Sequence, residues 1–253
     1  MTSAAAVAIY AAGSLRNALP LLSGAFTEAT GIAVNVRQGP AGLLREHIES
    51  GGRPDLFLSA NMAHPVRLHR IGLASPPMLF ARNRMVALVR RKAGITRDNF
   101  IDRILDPAVR IGTSTPVKDP SGDYAWEIFR RIDGLREGAF ASLDAKAQKL
   151  VGSGEPAAAS PTSYDVVGGA LAEGTVDMFL GYATGLVPLA RRLHGVETVG
   201  LPDEIDVVPE YGLAALLDAS PAALSFALFL MSADGQRLIG QSGFLPVALP
   251  KDR

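Results

Sequence analysis

The chain has 253 residues, enough for one large domain or two lobes, and its 25 basic and 25 acidic residues cancel. That balance supplies no field for nucleic acid or an anionic membrane surface, and the lack of cysteine excludes thiol catalysis, disulfides and zinc-thiolate sites. No apolar run approaches the roughly 20 residues of a membrane span, and Met1–Ala6 is too short and polar for a signal peptide. The expectation is either a cytoplasmic protein or an exported one whose signal has been replaced by a start methionine.

In chain order, Val7–Ala12 reads as a buried strand that runs through Gly13-Ser14 into a helix over 15–29, with Ser14 at the N-cap position. Such a turn aims free backbone N–H groups and the positive end of a helix dipole at whatever lies above it. Gly31 suits a C-cap, and Ile32–Val36 reads as a second strand. The turn Gly39-Pro40-Ala41-Gly42 then opens a helix with Leu43, Leu44 and Ile48 on its apolar face. Pro54–Ala60 is short and nearly all apolar, which suits the centre of a parallel sheet, and parallel order places these strand ends on one edge.

Met78–Arg82 and Met85–Val89 are extended runs broken by Arg82-Asn83-Arg84, read here as a crossing between lobes. A helical stretch follows around Asp98–Leu105, and then a strand, Val109–Thr113, runs to Asp119-Pro120-Ser121-Gly122-Asp123-Tyr124, a third loop-to-helix junction. The stretch 145–160 reads as a short strand or helix followed by a mobile Gly, Pro and Ala-rich loop, Gly152–Pro161. Ser160–Asp165 forms a fourth junction with Tyr164 at the helix start, and a strand over 176–184 carries Tyr182 at its carboxyl end. A helix over 185–193 and a strand near Glu197–Leu201 follow. Tyr211–Leu217 reads as the return crossing, and helices near 220–231 and 233–241 close the chain.

The expected fold class is α/β with mixed sheets flanked by helices, in two lobes: residues 1–82 plus 207–253, discontinuous in sequence, and residues 83–206. A ligand cleft is expected between the lobes, faced by four helix N-termini. Backbone N–H groups together with the hydroxyls of Ser14, Ser121 and Tyr182 suit a compact oxyanion, which is tolerated in a buried site only when fully hydrogen-bonded.

The motifs Ala11–Leu15, Gly39–Arg45, Pro54–Ala60, Ala81–Arg84, Asp119–Ala125 and Gly181–Thr184, in order over nearly the whole chain, resemble those of molybdate-binding periplasmic proteins of ABC transporters. The resemblance implies a type II periplasmic-binding-protein fold that holds molybdate or tungstate as a tetrahedral dianion by hinge closure, with no chemistry on the ligand. It implies ligand-binding roles for Gly13, Ser14, Ala41, Ser121, Tyr164 and Tyr182: Ser14 through hydroxyl and backbone, Ser121 and Tyr164 through backbone N–H, Tyr182 through its phenol. It further implies a periplasmic monomer that docks on a membrane permease, without cofactor, free metal cation or nucleic-acid partner. Where better-known members carry a serine-rich turn, this chain has Gly39-Pro40-Ala41, and proline supplies neither a hydroxyl nor an N–H.

The alternative is a binding protein or cytoplasmic sensory module of the same fold for another small anion: sulfate, phosphate or an organic acid. An enzyme is not expected. His47, His64, His69 and His194 show no ligand or catalytic spacing and read as solvated surface residues, and the glycine-rich turns match neither a Walker nor a dinucleotide fingerprint.

Overall fold

The computed structural model describes residues 6–152 and 163–248, without the side chains of Ser163 and Tyr164. Within that range the chain forms two units: residues up to Asn83 together with those from Pro209 onward, and Arg84–Val208.

Unit 1 is built on β1 (Val7–Ala12), β2 (Val34–Gly39), β3 (Leu56–Ser59), β4 (Met78–Arg82), β10 (Glu210–Ala215) and β11 (Leu245–Pro246), in the sheet order β11-β4-β10-β3-β1-β2. β1 pairs in parallel with both β2 and β3, whereas β10 runs antiparallel to β3 and β4. All four residues of β3 are buried, as its unbroken apolar run requires of a central strand. The edge strand β2 is largely exposed, and its register with β1, from Val7↔Val34 to Ala12↔Gly39, starts it two residues later and ends it three residues later than its apolar pattern suggests. Helices α1 (Leu19–Thr30), α2 (Ala41–Glu49), α3 (Ala63–Arg70), α9 (Pro221–Met231) and α10 (Ala233–Gln241) flank this sheet. Phe26 of α1 packs edge-on against Phe226 of α9, their centroids 5.1 Å apart.

The Pro54-Asp55 step has a structural explanation. Asp55 accepts from the Ala8 and Ser220 backbone N–H groups, both at 2.8 Å, and so ties the entries to β1 and α9 to the start of β3.

Unit 2 contains β5 (Met85–Arg90), β6 (Ile111–Ser114), β7 (Ala147–Val151), β8 (Met178–Tyr182) and β9 (Val196–Gly200), in the order β7-β6-β8-β5-β9. Here too the sheet is mixed: β6 is parallel to β7 and β8, and β5 is antiparallel to β8 and β9. Its helices are α4 (Phe100–Leu105), α5 (Pro120–Leu135), α6 (Ala139–Lys146), α7 (Ser163–Glu173) and α8 (Ala183–Arg192). Leu88, Val167, Leu171, Val176, Phe179 and Leu186 form one apolar cluster of this unit. Asp177 plays the stapling part that Asp55 plays in unit 1. It accepts from Arg110 through the backbone N–H and the guanidinium, and from Arg90 at 3.5 Å, and the Arg110 bond holds its carboxyl below the usual range.

The first helix departs from expectation. Residues Gly13–Leu15 form a single 3₁₀ turn, and α1 begins only at Leu19, where Pro20 stands in its first turn. Proline is pre-set for that position, so the helix starts there and Ser14 caps no α-helix. Of the fourth junction, Ser160, Pro161 and Thr162 lie outside the described residues, as does the loop over 153–161. No helix among the described residues is long and apolar enough to cross a membrane.

Candidate functional site

In unit 1 the parallel pairing of β1 with β2 and β3 brings the Gly13-Ser14 turn, the Gly39-Pro40-Ala41 turn and the Ser59-Ala60 strand end to one sheet edge. A Cβ placed on Gly13 would lie 3.7 Å from the Arg16 guanidinium and 3.8 Å from the Gly39 carbonyl, so the first two turns touch. Arg16 itself donates from Nε to the Gly13 carbonyl at 3.2 Å, which sets a positive charge beside the turn. Pro40 is the N-cap residue of α2, and no side chain caps that helix, because proline has none to offer. The first-turn N–H groups of α2, beginning with buried Ala41 and Gly42, are therefore not spent on a capping side chain. The Ser14 hydroxyl accepts from the Tyr211 phenol at 2.9 Å, and the phenol oxygen accepts from Asn83 Nδ2 at 3.2 Å.

The corresponding edge of unit 2 is built differently. β6 ends at Ser114, and the chain is held back on itself by Thr115, whose N–H and hydroxyl both donate to the Val151 carbonyl. Val117 adopts φ +70°, uncommon for a β-branched residue, while its N–H donates to Asp123 at 2.7 Å. Asp119 then caps α5, accepting the Ser121 N–H at 3.1 Å. The very N–H expected to serve a ligand is thus already engaged by a carboxylate of its own chain. Burial pushes the Asp119 carboxyl up from its ordinary value, opposed by the Ser121 N–H and the Ser114 hydroxyl, and burial pushes Asp123 up as well. Gly122 is required by packing: a Cβ there would meet the backbone of Ser114, Thr115 and Pro116 at 2.6 Å.

Tyr182 stands at the end of β8 as the residue preceding α8, and its ring lies edge-on to Tyr124 of α5, 6.3 Å between centroids. Ser121 and Tyr182 are thereby gathered at the same end of the unit 2 sheet. Tyr164 falls in the first turn of α7; its side chain lies outside the described residues.

Residues 7–245 match the family described as bacterial extracellular solute-binding protein. The chain belongs to that family. It is 35% identical to an uncharacterized protein of Pasteurella multocida over 240 residues, 94% of this chain and 98% of the relative. Its fold is also that of solved periplasmic binding proteins. The Azotobacter vinelandii periplasmic molybdate-binding protein superposes with a TM-score of 0.72 at 20% identity, covering 97% of this chain and 100% of that one. The sulfate-binding protein SubI from Mycobacterium tuberculosis gives 0.79 at 19% identity, covering 96% and 87%. The two-lobed α/β class expected from the sequence is the class observed.

Three residues of this solute-binding protein that sequence reasoning passed over stand at the unit 1 edge: Arg16, Asn83 and Tyr211. Arg16 was visible as a charge beside the first turn, but Asn83 and Tyr211 are 128 and 197 positions from the groups they donate to and give no local signal. The histidines need a correction. His64 is 8% exposed rather than solvated, packed near Arg45, Glu46, Glu49 and Arg67, and burial lowers its pKa from 6.5 to about 4. Helix α3 lies against α2 and the sheet, which shuts the ring in. A cavity of about 470 Å³ lined by Arg97, Asp102, Arg136 and Asp203 opens at the C-terminal end of α5, the opposite end from Ser121.

Proposed function

We propose that this solute-binding protein captures a small tetrahedral oxyanion, molybdate or tungstate, for an ABC-transporter permease, as a periplasmic monomer without cofactor. The carrying observation is the unit 1 edge: an α2 N-terminus with no capping side chain, beside a serine hydroxyl and the Arg16 guanidinium, with no acidic residue in Gly13–Arg16 or Gly39–Gly42. Donors in that number and sign suit an anion that only accepts. In this reading Gly13, Ser14 and Ala41 bind from unit 1, and Ser121, Tyr164 and Tyr182 bind from unit 2 as the units close on the ligand. The fold shared with proteins named for molybdate and sulfate binding supports the class of ligand.

A second reading, another small anion such as sulfate, phosphate or an organic acid, carried or sensed, is favoured by Pro40, which replaces a hydroxyl-bearing turn residue with one that donates nothing. Calorimetry of ligand-stripped protein against molybdate, tungstate, sulfate and phosphate separates the two. The first reading expects heat with molybdate and tungstate that Ser14→Ala and Tyr182→Phe diminish. Silence with all four anions would overturn it and turn attention to organic acids.

A further inference from the structure

Asn83 is the last residue of unit 1 before the chain enters unit 2, and Tyr211 lies two residues past its return; both are fully buried. Two buried polar side chains of this size are retained in a core only with their hydrogen bonds made, and here the bonds run in one direction. The Asn83 backbone N–H donates to the Pro209 carbonyl at 2.9 Å, which holds the residue in place. Its side-chain Nδ2, a group that can only donate, gives a proton to the Tyr211 oxygen at 3.2 Å. The phenol proton is thereby directed away from Asn83 and onto Ser14 Oγ at 2.9 Å. Phe80 and Phe244 stand edge-on to the Tyr211 ring and keep it from turning.

We infer that Asn83 and Tyr211 are specificity-determining positioning residues, which set the polarity of the Ser14 hydroxyl so that it faces the ligand as a donor. This rests on the proposed oxyanion site and deepens it. With one lone pair taken by the Tyr211 proton, the serine oxygen has its own O–H to direct outward, and polarisation along the chain of three groups strengthens it as a donor. The ligand so selected is an oxygen that carries no proton of its own at this point. A protonated oxygen, or an alcohol needing an acceptor, meets a proton facing a proton. Neither Asn83 nor Tyr211 touches the ligand; both act through Ser14.

The test is a double-mutant cycle read by calorimetry with sodium molybdate and sodium sulfate, on wild type, Ser14→Ala, Tyr211→Phe and the double variant, with thermal unfolding of each as the check on folding. Tyr211→Phe keeps the ring that packs on Phe80 and Phe244. It is expected to weaken the better-bound anion by about fivefold to tenfold, and the double variant is expected to bind no more weakly than Ser14→Ala alone. A role in packing alone would add its full loss in the Ser14→Ala background, and that additive result overturns the inference while the oxyanion reading stands. Wild-type affinity in Tyr211→Phe overturns it equally. Should Tyr211→Phe fail to fold, Asn83→Leu, similar in shape and without the donor, carries the same cycle with the same two outcomes. Wild-type protein that binds neither anion, or that binds as well after Ser14→Ala, defeats the site itself and the inference with it.

Discussion

The two sheet edges, one in each unit, are made from similar sequence elements, a strand running through small residues into a helix, yet they end in opposite states. In unit 1 the helix start at Pro40 has no capping side chain, Arg16 adds a positive charge, and a Cβ on Gly13 or Gly39 would find ordinary contacts at 3.7 Å or more. In unit 2 the helix start is already closed by Asp119, a second carboxylate sits at Asp123, and Gly122 is jammed against its own backbone. Glycine at a strand-to-helix junction is therefore not one signal: Gly122 is required by the chain's own backbone, whereas Gly13 and Gly39 are not. The difference teaches that donors left unspent, rather than glycines, distinguish the edge at which an anion is proposed to bind.

The widest gap between the edges should appear in stability. Gly122→Ala is expected to destabilise the protein by about 3 kcal/mol, since nothing but backbone stands in the way, whereas Gly13→Ala costs under about 1 kcal/mol. Thermal or denaturant unfolding of both variants checks this, and equal losses would erase the contrast.

Acid divides the units next. His64 in unit 1 has a folded-state pKa of about 4 against 6.5, so its contribution is complete above pH 6.5 and is lost as pH falls towards 4. The expected loss is on the order of 3 kcal/mol, and His64→Gln should flatten the pH dependence of unfolding over that window. Asp119 has the reverse sign. Its carboxyl is raised, so the cost of burying its charge is absent below about 3.8 and grows as pH rises through the folded value.

Ligand binding sharpens the contrast further. Loss of the Ser14 hydroxyl should weaken oxyanion binding by about tenfold, the worth of one charge-assisted hydrogen bond, while Ser121→Ala, which leaves the backbone N–H with Asp119, changes it by less than about twofold. Calorimetry reads both, and the reverse ranking would place the dominant contacts in unit 2. A smaller effect than loss of the Ser14 hydroxyl is expected from Asp119→Asn, which keeps an acceptor for the cap and removes a buried charge. Stability at pH 7 should not fall, and oxyanion affinity should rise about threefold as repulsion is relieved.

Much of this molecule is legible in its sequence, and the illegible parts share a cause. Central strands such as β3 and β8 declare themselves by unbroken apolar runs, and α5, α9 and α10 by capping residues that do cap, Asp119, Ser220 and Ser232. The edge strand β2 is misplaced by its pattern because half-exposed strands follow their neighbour's register rather than hydropathy. Ser14 looks like an N-cap because Leu15, Ala18 and Leu19 have helical spacing, but Pro20 fixes the true start. Whether a helix N-terminus is open or spent depends on one side chain's rotamer, and the partners of Ser14 come from nearly the far end of the chain. Local pattern carries no information about either.

The hydrogen bond from Asn83 to Pro209 and the pairing of Arg82 with Glu210 across β4 and β10 place the exit from unit 1 beside the re-entry. In genetic terms unit 2 is a guest and unit 1 its host. Replacing residues 84–208 by a two-residue Asn-Gly turn would convert β4 and β10 into a plain hairpin and leave the pairing of the host sheet untouched. The chain thus contains a ready splice point, at which one guest can be exchanged for another without redesigning the half that holds Ser14.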